Sequence, residues 1–281
     1  MKKTVVLLVI VILLPMAAWG GNPTDPLAIV FPYQWGGSIE KGEFNEPSGL
    51  VFHPGRGTLF AVGDNGDLGE FGLDGKVVKT QHLGDLDLEG VTCDPATGLL
   101  YLIVEGEEKV LEVEPESFAV KREFVLEREF EGKEIMKEGG QGIEGITFAP
   151  DARHPEGGVF YIANQAFDLD AVEGDLSAIC EVVLPLRSRK DGGTVGISRY
   201  FIPGVIDLSG LHYDAETVLI YAISDSRNVF LLVRPGGEVV RSYALPERDQ
   251  EGIAVDADGV LYITRDSGGI VKYQNKGRRE R

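Results

Sequence analysis

The chain is poor in the residues that do nitrogen and sulfur chemistry. It has two cysteines, Cys93 and Cys180, and four histidines in 281 residues. Two cysteines without local histidines make no zinc motif. Basic residues are also scarce, with 27 Lys and Arg against 45 Asp and Glu and a formal net charge of −18. Binding a phosphate backbone needs dense Lys and Arg, so nucleic acid is excluded as a partner. A surface this acidic suits metal cations, and it also maintains solubility. There is no Gly-x-Ser-x-Gly nucleophile elbow.

Long apolar runs are missing too, apart from Val5–Leu14. About ten apolar residues fall short of the roughly 20 that a spanning helix needs. Lys2 and Lys3 precede this run, while Pro15 and the small residues Ala17, Ala18, Gly20 and Gly21 follow it. That is the layout of a secretory signal peptide over residues 1–20. The expectation is export to the periplasm or the cell exterior, with no membrane attachment after cleavage. In an exported protein the two cysteines could pair. They sit in different repeats at different phases, which favours two unpaired, partly buried thiols.

What the chain does have is a signal that occurs five times: Ser48-Gly49-Leu50, Glu89-Gly90-Val91, Glu144-Gly145-Ile146, Ser209-Gly210-Leu211 and Glu251-Gly252-Ile253. Each copy opens a short apolar run, followed by turns and further strand-like segments. In the first repeat GLVFHP, TLFAVGD, a segment within NGDLGEFGLDG, and KVVKTQHL give four strands in about 40 residues, the pattern of a propeller blade. Asn65-Gly66, Asp74-Gly75 and Asp258-Gly259 read as hairpin turns. The third repeat is longer, with TVGISRYFI as its last strand. The second and third steps between glycines are also long, and their extra residues read as loops.

The expected fold is therefore all-β, a five-bladed β-propeller of four-stranded blades over residues 46–275, with six blades as the alternative. The last repeat shows only three strands. A spare strand at Leu27–Trp35, within the 21–45 segment, would complete it and remove an exposed edge. Residues 276–281 read as a basic tail.

In such a ring the residue before each glycine faces a central channel. Glu89, Glu144 and Glu251 would converge there with Ser48 and Ser209. Confined carboxylates repel one another, and a bound cation removes that cost. Hard oxygen ligands in a roomy ring suit calcium better than zinc or magnesium. The other reading is that these Ser and Glu side chains only bond backbone amides. The second strands align on Phe60, Tyr101, Tyr161, Tyr221 and Tyr262, expected to pack between blades. Four residues further on stand Asp64, Glu105, Gln165, Asp225 and Asp266, on the face where the first strands begin. Their acids are candidate catalytic or ligand-positioning groups, or simple turn formers. His53, His82, His154 and His212 fall at different phases and form no ligand set.

The segments EPSGLVFHPGRGTLFAVGDNGDLGEFGLDGKVV and DLEGVTCDPATGLLYLIVEG resemble the SdiA-regulated family of exported bacterial propellers. The order Ser, Glu, Glu, Ser, Glu is also similar to the channel motif of the calcium-activated nucleotidases. That second resemblance implies Ser48, Glu89, Glu144, Ser209 and Glu251 as calcium ligands. Two functions are expected. One is an exported calcium-binding module that takes a small molecule or protein on its channel-mouth face. The other is a calcium-dependent phosphohydrolase in which Asp64, Glu105, Asp225 and Asp266 position phosphate and water.

Overall fold

The computed structural model describes residues 31–40, 42, 44–169 and 175–275. The signal-peptide reading, the basic tail and the start of the expected ring-closing strand lie outside these residues. Among the described residues every regular element is a strand.

Strand β1 (Tyr33–Glu40) stands apart at the N-terminus. Blade one is β2 (Pro47–His53), β3 (Thr58–Gly63), β4 (Asp67–Phe71) and β5 (Val77–His82). Blade two is β6 (Asp87–Cys93), β7 (Leu100–Glu105), β8 (Lys109–Val113) and β9 (Val120–Leu126), followed by a small hairpin of β10 (Glu129–Phe130) and β11 (Lys133–Glu134). The third repeat contains β12 (Ile143–Pro150), β13 (Gly158–Asn164), β14 (Ala178–Val182), β15 (Gly193–Val195) and β16 (Ile197–Phe201). Blade four is β17 (Leu208–Asp214), β18 (Leu219–Ser224), β19 (Val229–Val233) and β20 (Val239–Ala244). Blade five is β21 (Gln250–Val255), β22 (Leu261–Arg265) and β23 (Ile270–Asn275), with β1 pairing antiparallel to β23 as its fourth strand.

The five-bladed ring closed by an N-terminal strand is therefore present. Two details differ from the sequence reading. The closing strand is centred later than Leu27–Trp35, at Tyr33–Glu40, because its pairing with β23 sets its extent. The segment TVGISRYFI is not one strand. It divides at Gly196: β15 pairs parallel to β9 as a fifth strand of blade two, while β16 remains in blade three. Only glycine fits at 192, since a Cβ there would lie 1.6 Å from the Glu123 carbonyl oxygen. The three hairpin turns form where expected, with Gly66, Gly75 and Gly259 at φ of 86°, 81° and 75°, a region that glycine enters freely.

The core is divided into five clusters, one at each junction between successive blades. Phe60 and Leu102 mark the junction of blades one and two, Tyr101 and Phe160 that of two and three, and Tyr161 and Ile220 that of three and four. Phe230 and Tyr273 mark the junction of four and five, and Leu50 and Tyr262 close the ring between five and one. The aligned aromatics pack between blades, as the pattern implies. Four of them also hydrogen-bond a carboxylate through their hydroxyls, Tyr101 to Glu112, Tyr161 to Glu181, Tyr221 to Asp214 and Tyr262 to Asp256. A buried tyrosine hydroxyl needs such a partner. Cys93 and Cys180 are free, buried, and in different clusters.

The signature glycines hold the ring at its axis. A Cβ on Gly49 would come 2.7 Å from the carbonyl oxygen of Glu89, one on Gly90 2.7 Å from that of Glu144, and one on Gly145 2.8 Å from that of Ser209. A Cβ on Gly210 would lie 2.2 Å from the Glu251 carbonyl oxygen, and one on Gly252 2.6 Å from the Gly49 carbonyl carbon, which returns to the start. Each glycine is thus pressed on the backbone of the next blade. Gly210→Ala is expected to destabilise the fold by at least the roughly 1–3 kcal/mol typical of overpacking. At Gly236 an added Cβ would meet nothing within 4 Å, and φ is not positive, so Gly236→Ala should stay within about 0.5 kcal/mol of wild type. Urea unfolding of both variants checks the contrast, and equal stabilities would contradict it.

Candidate functional site

Every inner strand carries a β-bulge at the same place. The ladder register slips between Pro47 and Gly49, Leu88 and Val91, Ile143 and Ile146, Leu208 and Gly210, and Gln250 and Ile253. A bulge adds a residue to one strand and re-aims its side chain. The residue before each signature glycine sits inside this slip. Sequence and backbone thus agree on which five positions fall at the bulge.

The channel there is lined by Ser48, Glu89, Ser209, the five glycines and the apolar residue after each of them. Its cavity is about 10 Å³, room for a single water-sized sphere. Glu144 and Glu251 are not among its lining residues, and both interact electrostatically with Glu89. Glu144 is 8% exposed, and burial, then Glu89, Glu105 and Glu251, push its carboxyl well above the usual range. Burial also raises Glu89 and Glu251, and neighbouring carboxylates add to both shifts. The hydroxyls of Ser48 and Ser209 donate to the carbonyls of Glu46 and Gln250, at 3.3 and 3.0 Å. That leaves each hydroxyl oxygen with lone pairs and no proton to place. The donor set is oxygen throughout, and burial and like charge push its carboxyls toward protonation.

The second-strand ends lie on the same face, at the channel mouth, and two of them have structural tasks. Glu105 accepts the backbone N–H of Gly142 at 2.6 Å, and Asp225 that of Gln250 at 3.1 Å. Each ties one blade to the first strand of the next. Gln165 does the same through its carbonyl, which accepts the Asp207 N–H at 3.1 Å. Asp64 of blade one and Asp266 of blade five interact electrostatically across the ring closure. Burial and the charges of Glu46, Asp87 and Asp266 push the Asp64 carboxyl up to about 6. Its Oδ1 is buried without a partner.

A second acidic position is not apparent from the sequence pattern. Three residues before the signature glycines stand Glu46, Asp87, Gly142, Asp207 and Asp249, so four of five repeats place an acid there. The spacing is regular, but these residues fall in the apparent linkers between blades. Glu46, Asp207 and Asp249 have φ of 41°, 60° and 59°, a left-handed conformation uncommon for non-glycine residues. The carbonyls of Asp207 and Asp249 accept the N–H of Asp225 and Asp266, both at 3.0 Å, as Gly142 accepts that of Gln165 at 2.7 Å. The acids of the two sets are interleaved, and Asp87, Glu89 and Glu105 bring a ligand oxygen each within 4.8 Å of one another. The third repeat, with Gly142 and Gln165, carries neither acid, so the mouth is an acidic arc open at blade three.

Comparisons with known proteins agree with this architecture. Residues 190–269 match the model of the family described as SdiA-regulated. No curated protein matches the chain in sequence. Among solved structures, a glutaminyl cyclase from Myxococcus xanthus aligns at a TM-score of 0.62 and 15% identity, over 86% of this chain and 95% of that one. A virginiamycin B lyase from Staphylococcus aureus aligns at a TM-score of 0.45 and 14% identity, over 86% of this chain and 73% of that one. At 15% identity the likeness to the cyclase is one of fold.

Asp64 gives a pH prediction. Its folded-state pKa lies above the ordinary value near 4, so the folded protein holds this proton more tightly than the unfolded chain does. Its contribution to stability therefore falls as pH rises from about 4 through about 6. Asp64→Asn is expected to raise the melting temperature at about pH 7.5 and to leave it nearly unchanged at about pH 4. A lower melting temperature for the variant at the higher pH would mean that ionised Asp64 is stabilising and would refute the reading.

Proposed function

We propose that the protein is an exported, calcium-binding β-propeller that uses its channel-mouth face to bind a ligand or partner. The observation that carries the proposal is the mutual electrostatic interaction of the buried Glu89, Glu144 and Glu251 beside a channel that Ser48, Glu89 and Ser209 line. Three buried carboxylates that repel one another around so narrow a channel are stable only if protonated or neutralised by a cation. Hard oxygen donors without nitrogen or sulfur suit calcium, which accepts six to eight oxygens in flexible geometry and completes its shell with water. In this reading Ser48, Glu89, Glu144, Ser209 and Glu251 hold the ion. It bridges all five inner strands and fixes the mouth. The reading of residues 1–20 as a signal peptide supports export, and the SdiA-regulated match over residues 190–269 fits a propeller of that kind.

The catalytic alternative needs the mouth acids to position water and phosphate around the ion. Glu105 and Asp225 are already engaged with backbone N–H groups of neighbouring blades. Arg265, beside the ring, pairs with Glu247 at 3.6 Å. These engagements favour binding over hydrolysis.

Calcium titration of the chelator-treated protein, followed by thermal melting, tests the ion. At 100 times Kd the gain should be about 2.7 kcal/mol, which corresponds to roughly 5–10 °C for a domain of this size. Glu144→Gln is expected to remove most of that shift while the protein still folds. An absent shift in wild type, or one retained in full by Glu144→Gln, would overturn the channel-ion reading. A hydrolysis screen of nucleoside di- and triphosphates, phytate and simple phosphoesters, with calcium and with chelator, separates the two functions. The binding reading predicts no calcium-dependent turnover.

A further inference from the structure

Blade one carries a second cavity, on its outer strands. It has a volume of about 230 Å³ and is bounded by Phe44, Asn45, Asp67, Thr80, Gln81 and His82. None of these residues lines the channel.

The register of the outer strands explains the cavity. In the ladder of β4 and β5, Asp67 pairs with His82 and Gly69 with Thr80. Directly opposite residues share a face of a sheet, and so do residues two apart along a strand. Asp67, Thr80 and His82 therefore stand on one face of the blade together with Gly69, which has no side chain to fill the space. A Cβ at Gly69 would come 3.0 Å from the Phe44 ring and 2.6 Å from that of Phe71. Phe44 is 6% exposed and meets Phe71 edge-on, with ring centroids 5.4 Å apart. Its ring is a fixed floor, and the space beside it opens to solvent past Asn45, Thr80, Gln81 and His82, all exposed.

The walls are polar and almost uncommitted. The side chains of Asn45, Thr80 and Gln81 have no hydrogen-bond partner among the described residues. His82 Nδ1 donates to Asp67 Oδ1 at 3.0 Å, which leaves His82 Nε2 and the second Asp67 oxygen unused. β5 is the last strand of its sheet, so one row of its backbone N–H and C=O groups pairs with no strand.

This lining sorts ligands by their chemistry. An anion would meet the Asp67 carboxylate, with no Lys or Arg in the lining to offset it. A cation would compete with His82 for the one carboxylate present. An apolar molecule would cover amide and hydroxyl groups without satisfying them. Hydroxyls donate and accept at once, and so match the Asn and Gln amides and the Thr hydroxyl. The volume lies below the roughly 300–1,000 Å³ of drug-sized pockets, which limits the occupant to one small ring or short chain.

We propose that this cavity binds a neutral monosaccharide or a polyol of similar size. Asn45, Thr80 and the free edge of β5 hydrogen-bond its hydroxyls. The Asp67–His82 pair takes a further hydroxyl, and Phe44 gives its C–H groups an apolar floor. The cavity shares no residue with the channel, so its occupancy does not depend on the channel ion.

Ligand-observed saturation-transfer NMR on the full protein tests the site, in calcium and in chelator. Glucose, galactose, arabinose and sorbitol are the neutral probes, and glucuronic acid and glucosamine the charged controls. At least one neutral probe is expected to show transfer in both buffers, with weaker transfer or none to the charged controls. Thr80→Tyr fills the cavity and Asn45→Ala removes an amide. Both positions are exposed, so both variants should keep the wild-type melting temperature. Thr80→Tyr is expected to abolish transfer and Asn45→Ala to weaken it. The proposal is overturned if no neutral probe responds, if a charged control responds as strongly, or if either variant keeps the full signal. A response that needs calcium would put the sugar on the ion and overturn it as well. A calcium-induced rise in melting temperature without sugar binding would refute this site and leave the channel ion standing. The reverse result would do the opposite.

Discussion

Everything in this molecule depends on how closely five strands approach one axis. The contact is between the α-carbon of each signature glycine and the backbone of the next blade. No side chain fits in that space, so the glycine is required by proximity and not by backbone angle. Five such contacts run around the ring and return to the first. They fix the diameter of the channel, which in turn decides how near the side chains beside the glycines come to one another. The blades also need each other for their cores, because all five apolar clusters lie between blades.

Close approach makes the chemistry. Isolated on a loop, Glu89 or Glu251 would be an ordinary surface acid. The residue before each glycine sits at the bulge of its inner strand, and the ring brings Glu89, Glu144 and Glu251 within mutual repulsion. Burial and like charge raise all three. The same packing surrounds the mouth with further acids. Some of these, Glu105 and Asp225 among them, hold the blades together through backbone N–H groups. The acids of the mouth thus serve the fold and set its charge at once. A cation at the centre would relieve the part of that charge which the backbone does not.

Much of this is legible in the sequence. Repeat spacing marks the blades, the shortfall of a strand in the last repeat points to the closure, and the aligned aromatics mark the junctions between blades. The differences have physical causes. β1 starts later than its apolar run suggests, because its partner β23 sets its extent. TVGISRYFI reads as one strand, yet Gly196 lets the chain cross between two blades, a choice made by the free edge of β9. The acids at Glu46, Asp87, Asp207 and Asp249 are easily passed over because they precede the strands, where polar residues resemble linker. Asn45, Thr80 and His82 read as ordinary linker and strand residues. Only the folded register sets them around one cavity.

The sequence by itself determined the number of repeats, the identity of the residue before each glycine, and the sign of the charge the channel would carry. Those properties are local and periodic, and a periodic pattern survives being read along a line. Only the tertiary structure decided how near the three glutamates come, which mouth acids are already engaged, and which polar groups surround the cavity beside β5. The glutamates in question, Glu89, Glu144 and Glu251, stand far apart along the chain. Their separations in space exist only once the ring has closed.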